Sequence, residues 1–234
     1  MTTDEHMQLL KEKRKQTYFY KMALLLEIAL LAGCANVEMT HHSGFLKDYA
    51  RMARQHDMDK VWIEPGADFS KYDTLIISPI DESYLMMTGL DSVERKKVID
   101  ELLKNFRAEM IRHFSTVADD PSKIKDGEQA LQLDLVLTEL RGTDVMMNMM
   151  VGLGTGNATG TIEGRFVDTQ TGRELVAFAD RKKGSGFTKK EWESEGKSWV
   201  SADLKKLKYL FLFTETWAEN VGNIVKTLKN QENS

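Results

Sequence analysis

The 234-residue sequence predicts a two-layer α+β domain, in which a mostly antiparallel sheet of about four to five strands carries two amphipathic helices on one face. Apolar residues that recur three and four positions apart predict the helices, whereas short β-branched runs and one alternating segment predict the strands. The predicted order along the chain is strand, helix, strand, hairpin, helix. Neither helix is apolar on all sides, so neither is expected to span a membrane.

The first predicted strand and helix lie in the N-terminal half of the domain. Residues 74–80 read TLIISPI, and a short β-branched run bounded by aspartate and proline is typical of a strand that is buried on both faces. A helix is expected after Asp91, because Asp91 and Glu94 have the spacing of a capping box. Its predicted buried stripe consists of Val98, Ile99, Leu102, Leu103, Phe106, Met110, Ile111 and Phe114.

The remaining strands and the second helix follow. Leucines alternate with mostly polar residues over 131–138, which is typical of a strand with one buried face. Residues 161–167 and 174–179 flank the sequence DTQTG at 168–172, whose closing glycine favours a β-hairpin. A long helix after residue 197 has one apolar face, formed by Leu204, Leu207, Leu210, Phe211, Trp217, Val221, Ile224, Val225 and Leu228.

Composition and charge exclude several classes of function. Hydrophobic residues make up 41% of the chain and charged residues 29%, which is typical of a globular protein with a packed core. The formal net charge of −4 argues against a nucleic-acid partner, because phosphate binding requires a basic surface. A single cysteine excludes an internal disulfide framework and a cysteine-based zinc site.

The N-terminal segment has the ordered parts of a secretory signal. Basic residues at 11–21 precede the apolar run 22–32, MALLLEIALLA, which ends in small residues. This run has about 11 residues, whereas a helix that spans the bilayer needs roughly 20, so a membrane span is the weaker interpretation. An uncleaved membrane-associated helix remains the alternative to a cleaved signal.

The four residues that end the run and follow it resemble the lipobox of bacterial lipoproteins, namely Leu31, Ala32, Gly33 and Cys34. The resemblance implies that a leader of residues 1–33 is removed and that Cys34 is lipidated, so that acyl chains attach the protein to a membrane. Residue 35 is alanine rather than the aspartate that retains Gram-negative lipoproteins in the inner membrane. The implied location is therefore the cell envelope, at the periplasmic face of the outer membrane.

Three regions are expected in the whole chain. The leader comprises residues 1–33, a lipidated tether comprises residues 34–59, and a periplasmic α+β domain comprises residues 60–230. The tether is polar, but it contains Phe45, Leu46 and Tyr49, through which it is expected to dock on the domain.

Several short motifs resemble an uncharacterised bacterial lipoprotein family called domain of unknown function 3313. The first is SGFLKDY at 43–49, and it is accompanied by Trp62, Pro65, DFSKYD at 68–73, DTQTG at 168–172 and Trp217-Ala218. The resemblance extends from the lipobox to near the C-terminus. It implies no catalytic activity, because no activity is established for the family.

One apolar, glycine-flanked segment is the best candidate for a contact with a partner protein or with lipid. It contains Met146, Met147, Met149, Met150, Val151 and Leu153. Methionine side chains are flexible and polarisable, which suits adaptable contact surfaces and also the filling of a core. Thioethers also bind Cu(I), and glycines at 152–160 could approach a small ligand, although no lysine-containing phosphate loop is present.

The sequence therefore predicts a lipid-anchored binding or assembly module without catalysis, cofactor or metal. Its expected contacts are the membrane, through the acyl chains on Cys34, and an envelope protein of unknown identity. The alternatives are an envelope hydrolase that uses carboxylates, whose separation in space no sequence reveals, and a small-ligand or metal binder at the methionine- and glycine-rich loop.

Overall fold

The computed structural model describes residues 42–120, 122, 127–142, 157–184 and 201–230, and at 201–206 the backbone alone. Within these ranges the chain forms eight strands, two α-helices and one short 3-10 helix at Glu82–Tyr84. The strands are β1 (Ala53–Gln55), β2 (Met58–Ile63), β3 (Thr74–Ile77), β4 (Met87–Thr88), β5 (Thr116–Ala118), β6 (Ala130–Arg141), β7 (Ala158–Asp168) and β8 (Glu174–Gly184). The helices are α1 (Ser92–Met110) and α2 (Ser201–Lys229).

The strands form one mixed sheet, so the prediction of a mostly antiparallel sheet of about four to five strands is corrected: the sheet has eight strands in the described ranges, and three of its seven ladders are parallel. Seven strands follow the order β1-β2-β8-β7-β6-β3-β5, and β4 pairs with β6 beside this path. In the part of this order from β1 through β2, β8 and β7 to β6, all neighbouring strands are antiparallel. By contrast, β3 is parallel to β5 and β6, and β4 is parallel to β6. The α+β class itself is retained.

Chain connection and strand length explain the difference. Helix α1 lies between the strands β3 and β4 on one side and β5 and β6 on the other, and a helical crossover returns the chain to the same end of the sheet, which makes the connected strands parallel. The strands β1, β4 and β5 have only two or three residues each. Runs of that length carry no detectable alternation of apolar and polar residues.

Both helices pack on one side of the sheet in a single core. They lie side by side, and Asn105 of α1 donates a hydrogen bond to Thr214 of α2 across 2.8 Å. The buried stripe of α1 is narrower than predicted, because Val98, Leu102, Phe106 and Met110 are buried, whereas Ile111 is 60% exposed. Of the helices in these ranges, none combines the length and hydropathy needed to cross a membrane.

The capping box predicted at the start of α1 and the β-hairpin predicted around residues 168–172 are both confirmed. Asp91 accepts a hydrogen bond from the Glu94 amide, and Glu94 accepts one from the Asp91 amide, which completes the capping box. In the turn between β7 and β8, the Asp168 carboxylate accepts the amides of residues 170 and 171. Gly172 has φ +67°, a conformation that glycine adopts without strain.

Candidate functional site

The sheet face opposite the helices is covered by residues 42–52, which we call the N-terminal segment. Leu46 and Met52 of this segment are 3% and 6% exposed. They form a second, smaller core with Ala177 and Ala179 of β8, against which Trp62 also packs. The N-terminal segment is therefore docked on the domain itself.

The centre of this face contains a fully buried carboxylate. Glu163 of β7 has no exposed surface, and it accepts hydrogen bonds from the Tyr49 hydroxyl at 2.5 Å and from the Ser43 hydroxyl at 2.7 Å. Burial and the hydrogen bond to Glu163 both raise the pKa of Tyr49. Because a buried carboxylate needs donors in place of water, these two hydroxyls hold the N-terminal segment to the middle of the sheet.

Aromatic and cationic side chains hold the same segment along its length. The Arg51 guanidinium lies 3.5 Å from the centroid of the Trp62 ring and forms an ion pair with Glu174. The Phe45 ring packs edge-on against Tyr84, with 5.3 Å between the ring centroids. These contacts extend the attachment from one end of the N-terminal segment to the other.

A second buried carboxylate lies on the neighbouring strand. Glu139 is 4% exposed and accepts two hydrogen bonds from the Arg181 guanidinium, at 2.9 and 3.3 Å. The hydroxyls of Thr159 and Thr161 complete its coordination at 2.9 and 3.3 Å. Burial acts to raise the pKa of Glu139, but these hydrogen bonds outweigh it and hold the pKa below its ordinary value.

We expect Glu139→Gln to reduce stability at neutral pH by about 1–3 kcal/mol, because it removes the anionic partner of Arg181 and places an amide donor where both carboxylate oxygens now accept hydrogen bonds. The folded-state pKa lies below the ordinary 4.5, so this contribution is complete above that pH and is lost as the pH falls through the folded-state value. Urea unfolding between neutral pH and about pH 3 should show the difference between wild type and variant shrink with acidification. A difference that stays constant with pH would contradict the assignment.

A third buried acid lies under α2, on the helix-covered face. Asp180 is 1% exposed and accepts the Trp217 indole N–H at 2.9 Å and the Asp59 amide at 3.1 Å. The Lys182 ammonium lies 2.9 Å from the same carboxylate. Burial raises the pKa of Asp180, and the lysine opposes this effect.

These acids organise the fold. General acid or base catalysis requires a carboxylate that can reach a proton on the substrate. Here Glu139, Glu163 and Asp180 each direct their oxygens at donors of the same domain. Across the described ranges, no group of three or more His, Cys, Asp or Glu residues is arranged to hold a metal ion.

The predicted site residues lie outside the described residues. This applies to the lipobox, Leu31, Ala32, Gly33 and Cys34, and to the contact segment, Met146, Met147, Met149, Met150, Val151 and Leu153. The sequence interpretation did not identify the three buried acids. An acidic residue at the end of an otherwise apolar run, as in LVAFAD at 175–180, was an available signal for Asp180.

The motifs that carry the family resemblance are built into the structure. Phe69, Tyr72 and Trp217 have no exposed surface. The Tyr72 hydroxyl donates a hydrogen bond to Asp168 of the hairpin turn. Burial and this hydrogen bond raise the pKa of Tyr72. The motif residues thus connect the β2–β3 loop, the hairpin and α2 to one core.

Comparison with known proteins supports the same assignment. Residues 41–197 match the sequence model of a family described as protein of unknown function (DUF3313). Over 182 residues the chain is 26% identical to the uncharacterized lipoprotein YdcL of Escherichia coli K12, and the match covers 69% of this chain and 81% of that protein.

Solved structures show lower similarity. Protein XCC0632 from Xanthomonas campestris is 9% identical, with a TM-score of 0.42, over 74% of this chain and 94% of that chain. PelC from Paraburkholderia phytofirmans, solved as a dodecamer, is 13% identical, with a TM-score of 0.35, over 53% and 82% of the two chains. Neither structure indicates a function for this chain. Because the family model matches more than half of the sequence, the chain belongs to the DUF3313 family, as its motifs predicted.

Proposed function

We propose that this protein is a lipid-anchored binding or assembly module at the periplasmic face of the outer membrane, with no chemistry of its own. Its family and its similarity to an uncharacterized lipoprotein support a lipoprotein, and lipoprotein relatives imply association with the cell envelope. The precise membrane and the partner belong to the proposal.

One observation carries the binding role: the segment that leads from the lipobox is fixed on the folded domain. Ser43 and Tyr49 donate to the buried Glu163, so the SGFLKDY motif works as an attachment for the anchor-proximal chain. This attachment limits the chain between Cys34 and the first attached residue, Ser43, to nine peptide units, and a short tether would keep the domain near the membrane at which a partner is held.

The partner surface proposed from the sequence follows the end of β6. That strand ends at Arg141, and β7 begins at Ala158, so the segment with Met146 and Met150 joins two adjacent strand ends. Its methionines suit an adaptable apolar contact with an envelope protein.

Crosslinking in intact cells, followed by mass spectrometry of the linked proteins, tests the proposal. We compare wild type, Cys34→Ser, and a variant in which Met146, Met147, Met149 and Met150 are all replaced by serine. Wild type should fractionate with the outer membrane and crosslink to a reproducible envelope partner. Cys34→Ser should no longer fractionate with the outer membrane. The variant with four methionines replaced by serine should still fractionate with the outer membrane but should no longer crosslink to the partner.

Two results would contradict parts of this proposal. Retention of Cys34→Ser in the outer-membrane fraction would show that lipid anchoring does not place the protein there. If the variant with four methionines replaced by serine crosslinked to the same partners as wild type, the methionine-rich segment would be excluded as the contact surface.

A further inference from the structure

Two adjacent methionines are exposed where the N-terminal segment meets the start of β4. Among the described residues, five large apolar side chains are exposed, namely Met86 at 50%, Met87 at 37%, Val93 at 62%, Ile111 at 60% and Leu212 at 46%. Only Met86 and Met87 are neighbours in the chain, and they follow the half-buried Tyr84 and Leu85. The Phe45 ring packs against the Tyr84 ring, whereas Leu85 packs on the main core, so we define the methionine patch as Phe45, Tyr84, Met86 and Met87.

The position of the anchor limits how far this patch can lie from the bilayer. Ser43 is fixed to Glu163, and only nine peptide units separate Ser43 from Cys34. At 3.3–3.6 Å per residue, this stretch reaches at most about 30 Å. Phe45 lies two residues beyond Ser43 on the same attached segment. The methionine patch therefore adjoins the segment whose first attached residue can lie no more than about 30 Å from the proposed site of acylation.

The chemistry of the patch suits a lipid surface. Methionine supplies flexible apolar surface and phenylalanine rigid apolar surface. Tyrosine is typical of the headgroup region of a membrane, because one end of its side chain is apolar and the other is polar. The two acidic residues next to the patch bind partners within the protein. The Asp81 carboxylate accepts the Ser83 amide at 2.9 Å, and Glu82 pairs with Arg95 at 3.2 Å.

We propose that the methionine patch is a membrane-contact surface that rests on the leaflet in which the acyl chains of Cys34 are inserted. This inference rests on the proposed lipid anchoring. The acyl chains attach the protein to the bilayer, and an apolar contact beside the attached segment would also orient the domain on its surface. The two helices lie on the opposite face of the sheet from the N-terminal segment, so this orientation turns the helix layer away from the bilayer.

The test uses the full, acylated protein in vesicles of phosphatidylethanolamine and phosphatidylglycerol. The native chain contains one cysteine, Cys34, whose thiol is blocked when it is acylated. Met86→Cys therefore introduces a single reactive thiol for an environment-sensitive fluorophore. Leu212→Cys is the matched control, because Leu212 is 46% exposed but lies in α2.

We expect the label at position 86 to be quenched by brominated lipid at a depth of roughly 5–10 Å and to be protected from aqueous iodide. The label at position 212 should be quenched by iodide and not by lipid. Adding Met87→Glu to Met86→Cys should abolish the lipid quenching, whereas adding Ile111→Glu should leave it unchanged.

Equal iodide quenching at positions 86 and 212 in vesicles would overturn the proposal. So would a label at position 86 that is already shielded from iodide in the unacylated Cys34→Ser protein without lipid or detergent, because protein would then cover the patch. Vesicle flotation and the mass of the N-terminal peptide report the anchor separately. Flotation with an exposed label refutes the patch alone, whereas absence of acylation and flotation refutes the proposed anchoring together with the patch.

Discussion

Replacing Trp217 by alanine is expected to lower the free energy of unfolding by about 3–5 kcal/mol. The Trp217 side chain has no exposed surface. It packs on β7 above Gly160, so closely that a Cβ added to this glycine would come within 2.9 Å of the indole ring. Alanine would leave a cavity between α2 and the sheet that neither element can close, because both are held by the rest of the core.

The indole also supplies a donor to a buried acid. Its N–H donates to Asp180 Oδ2 across 2.9 Å, and loss of this donor leaves that buried oxygen with the Lys182 ammonium as its remaining partner. Trp217→Phe separates the two effects, because it keeps most of the ring volume and removes the N–H. We expect it to cost about 1–3 kcal/mol.

Urea unfolding of the three proteins, with Leu212→Ala as a control on the exposed side of α2, measures these differences. The control should stay within about 0.5 kcal/mol of wild type. If Trp217→Ala cost no more than the control, the packing of α2 on β7 would be refuted. If Trp217→Phe cost as much as alanine, the hydrogen bond to Asp180 would account for the whole effect.

Tyr49→Phe is expected to lower stability by about 1.5–3 kcal/mol, because it removes a hydrogen bond to a buried charge and keeps the ring. The Tyr49 hydroxyl lies 2.5 Å from Glu163, which would then retain only Ser43 as a donor from the N-terminal segment. The loss should concentrate in this segment, since the main core of helices and sheet lies on the other face.

Limited trypsin digestion detects such a local release. Lys47 and Arg51 lie in the N-terminal segment, and cleavage after them should become faster in Tyr49→Phe before the rest of the domain is cut. Tyr84→Phe is the matched control, because Tyr84 contributes its ring to Phe45. Unchanged cleavage at Lys47 and Arg51 would show that Glu163 does not hold the segment.

If the release is observed, it bears directly on how the domain stands at the membrane. The attached segment shortens the chain between Cys34 and the folded domain to the residues before Ser43. If Cys34 is anchored as proposed, release of residues 43–52 would lengthen the chain between the acyl chains and the domain, so the methionine patch would no longer be held beside the attached segment. Unfolding stability, protease sensitivity and the proposed membrane contact should therefore all respond to the attachment of the N-terminal segment to Glu163.

Features that depend on near neighbours could be predicted well. The capping box at Asp91 and Glu94 and the hairpin turn at 168–172 match the structure, because each is decided by side chains two to four residues from the backbone groups they bind. The predicted half-buried strand in β6 is only partly confirmed. Its leucines face the core, but Val136 and Thr138 on the other side are 1% and 2% exposed.

The sequence by itself determined the family, the α+β class and the helix and hairpin signals, because contiguous residues carry all of them. Only the tertiary structure decided the eight-stranded mixed sheet and the partners of the buried acids. Tyr49 and Glu163 are 114 positions apart, and Trp217 and Asp180 are 37 apart. Which donor meets which carboxylate depends on strand order and on how layers pack, and local propensity contains no information about either.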